Sequence, residues 1–328
     1  MKQILQKTFN QLPLSYNESY ETLLKMGKGE ISEIEMTAFI SAFNMKEISV
    51  NELKGFRDAL LDLSVRVSFS ANDSIDMCGT GGDEKNTFNV STISSFVVAG
   101  AGYRVVKHGN YGVSSLCGSS NVLEYLGYQF SSNSSFLEQQ LDSTGICFLH
   151  APLFHPAMRH VATIRKVLGI KTFFNLLGPL VNPAQPSHQL VGVFNLKIAR
   201  KFKYLLEESK RQFLVVHNTD GYDEATLTAP LKLLGNQMDT EIFPGELNAA
   251  QVLPKDLHGG SSIKEAASLF TRILSGNGTK SQTDVIAANA GLAIHCMNTN
   301  LSLSDCIMEA RKSIESKAAL TTLQNALS

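Results

Sequence analysis

The stretch Asp76-Met-Cys-Gly-Thr-Gly-Gly-Asp-Glu-Lys-Asn-Thr-Phe-Asn-Val-Ser-Thr92 joins a short apolar run to a helical one. A strand, a glycine loop and a helix in that order restrict the fold, because α/β proteins bind ligands beyond a strand's carboxyl end. Gly79, Gly81 and Gly82 permit positive φ and close approach of backbone N–H groups to a ligand. Successive N–H groups in such a loop form an anion nest. Ser91 and Thr92 open the following helix, whose free N–H groups make a second anion site. Asp83, Thr87 and Asn89 lie between the two sites and have no turn role. The motif is neither G-x-G-x-x-G nor a Walker loop. Gly276–Ser281 reads as a loop, since no Gly directly precedes Lys280 and no strand comes before it.

The same alternation runs on through SIDMCG, STISSFVVAGAG, RVVKHG, SSNVLEYLG and GICFLHAP. Gln189–Phe194 and Gln212–His217 read as buried strands on either side of a helix, Leu196–Lys210. Residues 226–245 predict a hairpin or an edge pair. The pattern predicts an α/β fold with a mainly parallel central sheet flanked by helices. Residues 1–68 read as helices only, with Leu53, Phe56, Leu60, Leu61 and Val65 at helical spacing and Ser49 or Asn51 as a cap. Three helical segments are expected near 262–275, 282–298 and 302–326. Ser131–Ser135 reads as a polar loop. The division expected is a small helical domain, 1–70, and an α/β domain, 71–328.

Composition removes several function classes. The chain of 328 residues is 43% hydrophobic and 18% charged, as a packed globular protein is. Its 29 basic and 30 acidic residues leave a net charge of -1, so a bulk basic footprint for nucleic acid is absent. No apolar run reaches the ~18 residues of a membrane span, and the start is too polar for a secretory segment. Cys78, Cys117, Cys147, Cys296 and Cys306 are scattered and form no CxxC. That argues against a disulfide framework or a thiolate zinc site and predicts a reducing cytoplasm.

Arg104–Ser115 repeats the strand, glycine turn and helix. Lys107 at the strand end aims a cation at the same crevice if the two strands are neighbours. His108 and Asn110 add hydrogen-bonding groups, and Ser115, Ser119 and Ser120 are helix caps or phosphate contacts. Asp223-Glu224 follows a strand through a short turn. Alone it reads as a solvated pair; beside two anion sites it becomes a candidate for Mg²⁺, which takes a few carboxylate oxygens together with waters and substrate phosphates. His150, His155 and His160 read as pocket lining or core histidines. The helix Pro156–Lys166 carries Arg159, Arg165 and Lys166. Arg is the natural partner of a planar carboxylate, whereas Arg159 and Lys166 suit a basic surface better.

GTGGD at 79–83, FNVST at 88–92, KHGN at 107–110, HAPLFHPAMRHVATIRKVLG at 150–169, FNLLGPLVNPA at 174–184 and DGYDE at 220–224 together resemble the anthranilate phosphoribosyltransferases, as does GNGTKSQTDVIAANAGLAI at 276–294. The resemblance implies attack of anthranilate on C1 of 5-phosphoribosyl 1-diphosphate with Mg²⁺, a step of tryptophan biosynthesis. It also implies a homodimer joined through the helical domain. For the phosphoribosyl donor it implies Gly79, Gly82, Asp83, Thr87, Asn89, Val90, Ser91, Thr92, Lys107, His108, Gly109, Asn110, Tyr111, Gly112, Val113, Ser114, Ser115 and Ser119. Gly79, Asn110 and Arg165 would contact anthranilate, and Ser91, Asp223 and Glu224 would ligate Mg²⁺. Lys107 would stabilise transition-state charge, with no covalent nucleophile. The sequence does not determine whether a glutamine amidotransferase associates. Tyr111-Gly112 departs from the family's frequent Arg-Ala or Arg-Ser and removes a cation. Tyr222 replaces a common Leu and is expected to touch no assigned residue. A pyrimidine nucleoside phosphorylase would carry a Lys-Ser-Gly-rich signature instead of KHGN. A nucleic-acid-binding relative would want a basic surface.

Overall fold

The computed structural model describes residues 1–70, 73–112, 117–236 and 238–328. It opens with helices α1 (Lys2–Phe9), α2 (Tyr16–Gly27), α3 (Glu33–Phe43) and α4 (Val50–Asp62). The last three start at a Ser with Glu three residues on. Ser15/Glu18, Ser32/Glu35 and Ser49/Glu52 each close a reciprocal capping box, satisfying two orphan backbone donors. Ser49 is therefore the cap. Val65 lies beyond the end of α4 and is 43% exposed, so it is not part of the buried stripe.

The chain continues through β1 (Ile75–Met77), α5 (Val90–Gly100), β2 (Val105–Gly109), α6 (Ser119–Tyr125), α7 (Ser134–Thr144) and β3 (Ile146–His150). Helix α7 replaces part of the expected Ser131–Ser135 loop. The Asn133 side chain accepts from the Phe136 N–H and starts it, while only Leu137 and Leu141 are buried, too thin a stripe to stand out in sequence. Next come α8 (Ala151–Phe154), α9 (Arg159–Leu168) and α10 (Phe174–Leu177), then β4 (His188–Gly192), α11 (Leu196–Glu207), β5 (Gln212–Asn218), β6 (Leu231–Gly235) and β7 (Met238–Ile242). The chain ends in α12 (Ile263–Leu274), α13 (Lys280–Met297), α14 (Leu303–Glu315) and α15 (Ala318–Leu327). The third expected C-terminal segment is thus two helices, parted at Lys317, whose φ of 62° is left-handed.

The sheet order is β3-β2-β1-β4-β5-β6-β7. The first five strands are parallel. β6 and β7 close the edge as an antiparallel hairpin, as 226–245 predicts. The packing forms two compact units. One comprises Met1–Val67 and Ala151–Gln185; the other comprises Ser68–His150 and Pro186–Ser328. The expected division at 70/71 follows chain order, but the packing places α8–α10 with the helical unit. The reason is apolar: Phe173 joins Phe39, Phe43 and Phe56 in one ring cluster, with centroids 4.6–6.2 Å apart. In the sheet unit, α5 and α13 are the most buried helices and belong to one apolar core with the strands.

Candidate active site

From β1 the chain runs to β2 and β3 on one side of the sheet and returns to β4 and β5 on the other. The ends of β1 and β4 therefore flank a topological switch point, where open α/β sheets bind ligands. Beyond β1 the glycine loop keeps pairing with β4: the Cys78 N–H donates to Leu190 O at 3.2 Å and the Thr80 N–H to Gly192 O at 2.9 Å. A cavity of about 20 Å³ opens there, lined by Met77, Cys78, Gly79, Ser91, Leu190, Gly192, Val216, Asp223, Glu224 and Asn289. The Asp223 turn lies in a groove that side chains would fill. A Cβ at Gly192 would stand 1.5 Å from the Asp223 carbonyl oxygen, and one at Gly79 would stand 2.7 Å from Asp223 Oδ2.

Both anion-binding elements read from the sequence meet a carboxylate here. The Gly81 N–H donates to Asp223 Oδ2 at 2.6 Å. The Ser91 N–H, in the first turn of α5, donates to Glu224 Oε1 at 3.0 Å. Burial, with Asp83 nearby, pushes the Asp223 carboxyl up to about 7. Glu224 is raised well above the usual carboxylate range, first by burial and then by the charges of Asp223 and Asp83. Lys107 and the Ser91 amide pull Glu224 the other way. Three acids thus crowd one buried cation, and the surplus negative charge suits a hard divalent ion. Among the described residues no group of three or more His, Cys, Asp or Glu is arranged to hold a metal ion. An ion on Asp223 and Glu224 would complete its shell from substrate oxygens and water. Thr80 Oγ, buried in the glycine loop, has no partner among the described residues and leaves an open hydrogen-bonding valence.

The second loop joins the first. β2 is the neighbour of β1, and the buried Lys107 Nζ donates to the Met77 carbonyl, so its charge faces the end of β1. The His108 N–H donates to Asp76 Oδ1 at 3.1 Å. Asn89 stands at the start of α5 but does not cap it; its Nδ2 crosses to Cys117 O at 3.0 Å. The Asn110 side chain accepts from the Tyr111 N–H, and its carbonyl accepts from Ser119 Oγ and the Ser120 N–H. Gly109 ends β2, and the Gly112 N–H donates to Asn121 Oδ1 at 2.9 Å. The Tyr111 and His150 rings meet in a T-shaped pair, 4.7 Å between centroids, and the Tyr111 hydroxyl donates to Glu124. His150 is a core histidine, bonded to Ser120 Oγ and stacked on Phe130. Val113, Ser114 and Ser115 lie outside the described residues.

Gly82 is buried beside the exposed Gly81, and Asp83 is half-buried. Thr87 bridges to His258. The Thr92 side chain is buried, and Val90 is a core residue whose N–H is taken by Phe88 O at 2.6 Å, so it offers no free donor. Tyr222 contacts a glycine-loop residue outside the assigned set. Its buried ring lies 4.9 Å from Lys85 Nζ, and Asp83 raises its hydroxyl after burial and Asp220. It is therefore in contact with the glycine loop.

Arg165 belongs to the helical unit, whereas Gly79 and Asn110 belong to the sheet unit. Its guanidinium lies 5.6 Å from the Phe174 ring centroid and reaches Asn175 Oδ1 at 3.5 Å. It has no acidic partner among the described residues, and burial lowers its pKa. A desolvated guanidinium without a carboxylate of its own is suited to receive one from a ligand. Arg159 and Lys166 are exposed.

The family model described as "Glycosyl transferase family, a/b domain" matches residues 71–320, and the one described as "Glycosyl transferase family, helical bundle domain" matches residues 2–64. An anthranilate phosphoribosyltransferase of Flavobacterium johnsoniae is 48% identical over 324 residues, covering 99% of this chain and 98% of that protein. The chain belongs to the anthranilate phosphoribosyltransferase family. The family's crystal structure from Thermus thermophilus superposes with a TM-score of 0.91 at 30% identity, over 99% of this chain and 98% of that one. The Saccharomyces cerevisiae enzyme in complex with PRPP and Mg shares the fold, with a TM-score of 0.89 at 24% identity over 100% of this chain and 98% of that chain.

Asn289 and Gly192 are lining residues that the sequence reading did not assign. A signal was present, since Asn289 is the sole polar residue in Val285–Ile294. Gly192 carried no signal, because its role depends on where the Asp223 turn passes.

Proposed function

We propose that this chain transfers the 5-phosphoribosyl group from 5-phosphoribosyl 1-diphosphate to the amine of anthranilate and releases diphosphate. The observation that carries the reading is the meeting of the Gly81 and Ser91 amides, Lys107 and the Asp223-Glu224 pair at one switch point. The full-length relatives supply the substrates. The amine of anthranilate is neutral near pH 7 because its lone pair is delocalised, so it needs no strong general base. The C1–O bond to diphosphate breaks as the C1–N bond forms, through an oxocarbenium-like transition state. The protein's tasks are then positioning and charge stabilisation.

The residues present fit Mg²⁺. Asp223 and Glu224, with the Ser91 hydroxyl, would hold it, and it would neutralise the departing diphosphate. Lys107 adds a cation from the middle of β2. The carboxylates now occupy amides that suit phosphate oxygens, so the donor must displace them from those N–H groups. Arg165 receives the anthranilate carboxylate. The working form is a homodimer joined through the helical unit, in the cytoplasm, where the five cysteines stay reduced; all five are free thiols. No described helix is long and apolar enough to cross a membrane.

The direct test mixes the protein with anthranilate, the diphosphate donor and Mg²⁺ and follows anthranilate fluorescence. The expected result is a loss of signal that requires all three. Phosphorolysis of thymidine with no fluorescence change would favour the nucleoside phosphorylase reading instead.

A further inference from the structure

We infer that Asn289 is a positioning residue for the metal-holding carboxylates, acting through the backbone of Ala225. Asn289 sits in the middle of α13 and lines the same cavity as Gly79, Ser91, Asp223 and Glu224. Its side chain engages both backbone groups of one residue. The Ala225 N–H donates to Asn289 Oδ1 at 3.1 Å, and Asn289 Nδ2 donates to Ala225 O at 2.9 Å. The second Nδ2 hydrogen goes to Val285 O at 2.8 Å, within the same helix. Both donors of the amide are therefore used, and its oxygen is held.

Ala225 immediately follows Glu224, and all the partners in this contact are buried. Among the described residues, no strand pairs with the backbone of Ala225. Its next turn is tight, with the Thr226 N–H on Glu224 O at 2.9 Å and Leu227 at a φ of 62°. One side chain thus does for Ala225 what a neighbouring strand would do. A buried, fully satisfied contact of this kind fixes a backbone position strongly, because the alternative leaves an N–H and a C=O unpaired away from water. The positions fixed are those of Glu224 and, one residue back, Asp223. An amide also adds no charge to a site already crowded with three acids. Asp at this position would lose both donors and add a fourth acid.

The inference rests on the reading that Asp223 and Glu224 hold Mg²⁺, and the experiment separates the two. Binding of diphosphate with Mg²⁺ is measured by calorimetry on the whole chain for wild type, for Asp223→Asn with Glu224→Gln, for Asn289→Ala, and for Ile294→Val as a destabilised control on the same helix. If wild type binds and the carboxylate variant does not, the metal reading holds; binding by the carboxylate variant would overturn that reading itself. Given that, Asn289→Ala is expected to bind Mg²⁺-diphosphate at least tenfold more weakly, with the KM for anthranilate unchanged and Ile294→Val binding like wild type. Wild-type affinity in Asn289→Ala would overturn the inference. So would an equal loss in Ile294→Val, which would reduce the effect to helix stability. If Asn289→Ala does not fold, Asn289→Asp takes its place: the expected loss is the same, and full affinity there would equally overturn the inference.

Discussion

At the scale of single residues, the acids at the switch point link stability to pH. An aspartate in an unfolded chain titrates near ~3.9, whereas the Asp223 carboxyl in the fold is pushed up to about 7 by burial and by Asp83. Between those values the folded state holds a proton that the unfolded state has released. The cost of burying the charge therefore grows as pH rises through that window and is complete above it. Without metal, Asp223→Asn should raise stability at pH 8 by on the order of 1–3 kcal/mol and change it little near pH 4.5. A thermal-melt series across pH checks this, and a gain of the same size at every pH would contradict it. With Mg²⁺ and diphosphate the order should reverse, because only the carboxylate gains from the cation. Arg165 gives a second residue-level outcome. Arg165→Ala should raise the KM for anthranilate by a factor set by roughly 1.5–3 kcal/mol for a charge-assisted bond, about tenfold to a hundredfold. The KM for the phosphoribosyl donor should move little. Equal loss for both substrates would remove Arg165 as the carboxylate's partner.

Secondary elements were legible where local chemistry decides them. Ser49 with Glu52 caps α4, and the apolar runs at β1, β2, β3 and β5 form the expected strands. Where two helices share one apolar stripe, the break was invisible, since a left-handed Lys317 leaves no mark on periodicity. The site divides in the same way. The anion-binding loops and the acidic pair carry motifs. The Tyr222–Lys85 contact and the Asn289–Ala225 pairing do not, because they join residues far apart in sequence and depend on how the elements stack. Gly192 shows the dependence most sharply. It closes β4, and a Cβ there would meet the Asp223 carbonyl oxygen at 1.5 Å. Backbone cannot yield as a side-chain tip can, so Gly192→Ala must push the Asp223 turn away from the end of β4. The expected outcome is a loss of metal-dependent activity of at least a hundredfold, roughly 3 kcal/mol, while circular dichroism still reports a folded chain. Activity within a few-fold of wild type would show that the turn can shift at no cost to the site.

At the scale of the whole molecule, the distribution of exposed apolar side chains bears on assembly. Phe9 and Leu12 flank the end of α1, and Ile34 in α3 is 83% exposed and Met45 just beyond it 75%. These belong to the helical unit, where α1 packs against α3. Large exposed apolar side chains on two packed helices are candidates for an interaction surface. A homodimer needs only one such self-complementary patch, since a two-fold axis brings it against its own copy. Sedimentation of the purified protein should therefore give twice the 35.8 kDa of one chain. Phe9→Asp combined with Ile34→Asp should shift the mass to that of a single chain, because two buried carboxylates per protomer would face their counterparts in an apolar seam. The proposed phosphoribosyl-donor site lies in the sheet unit, so the monomeric variant should still bind Mg²⁺-diphosphate with near wild-type affinity. A variant that stays dimeric would place the interface elsewhere on the molecule. One that dissociates and also loses diphosphate binding would mean that assembly orders the switch point as well as covering an apolar face.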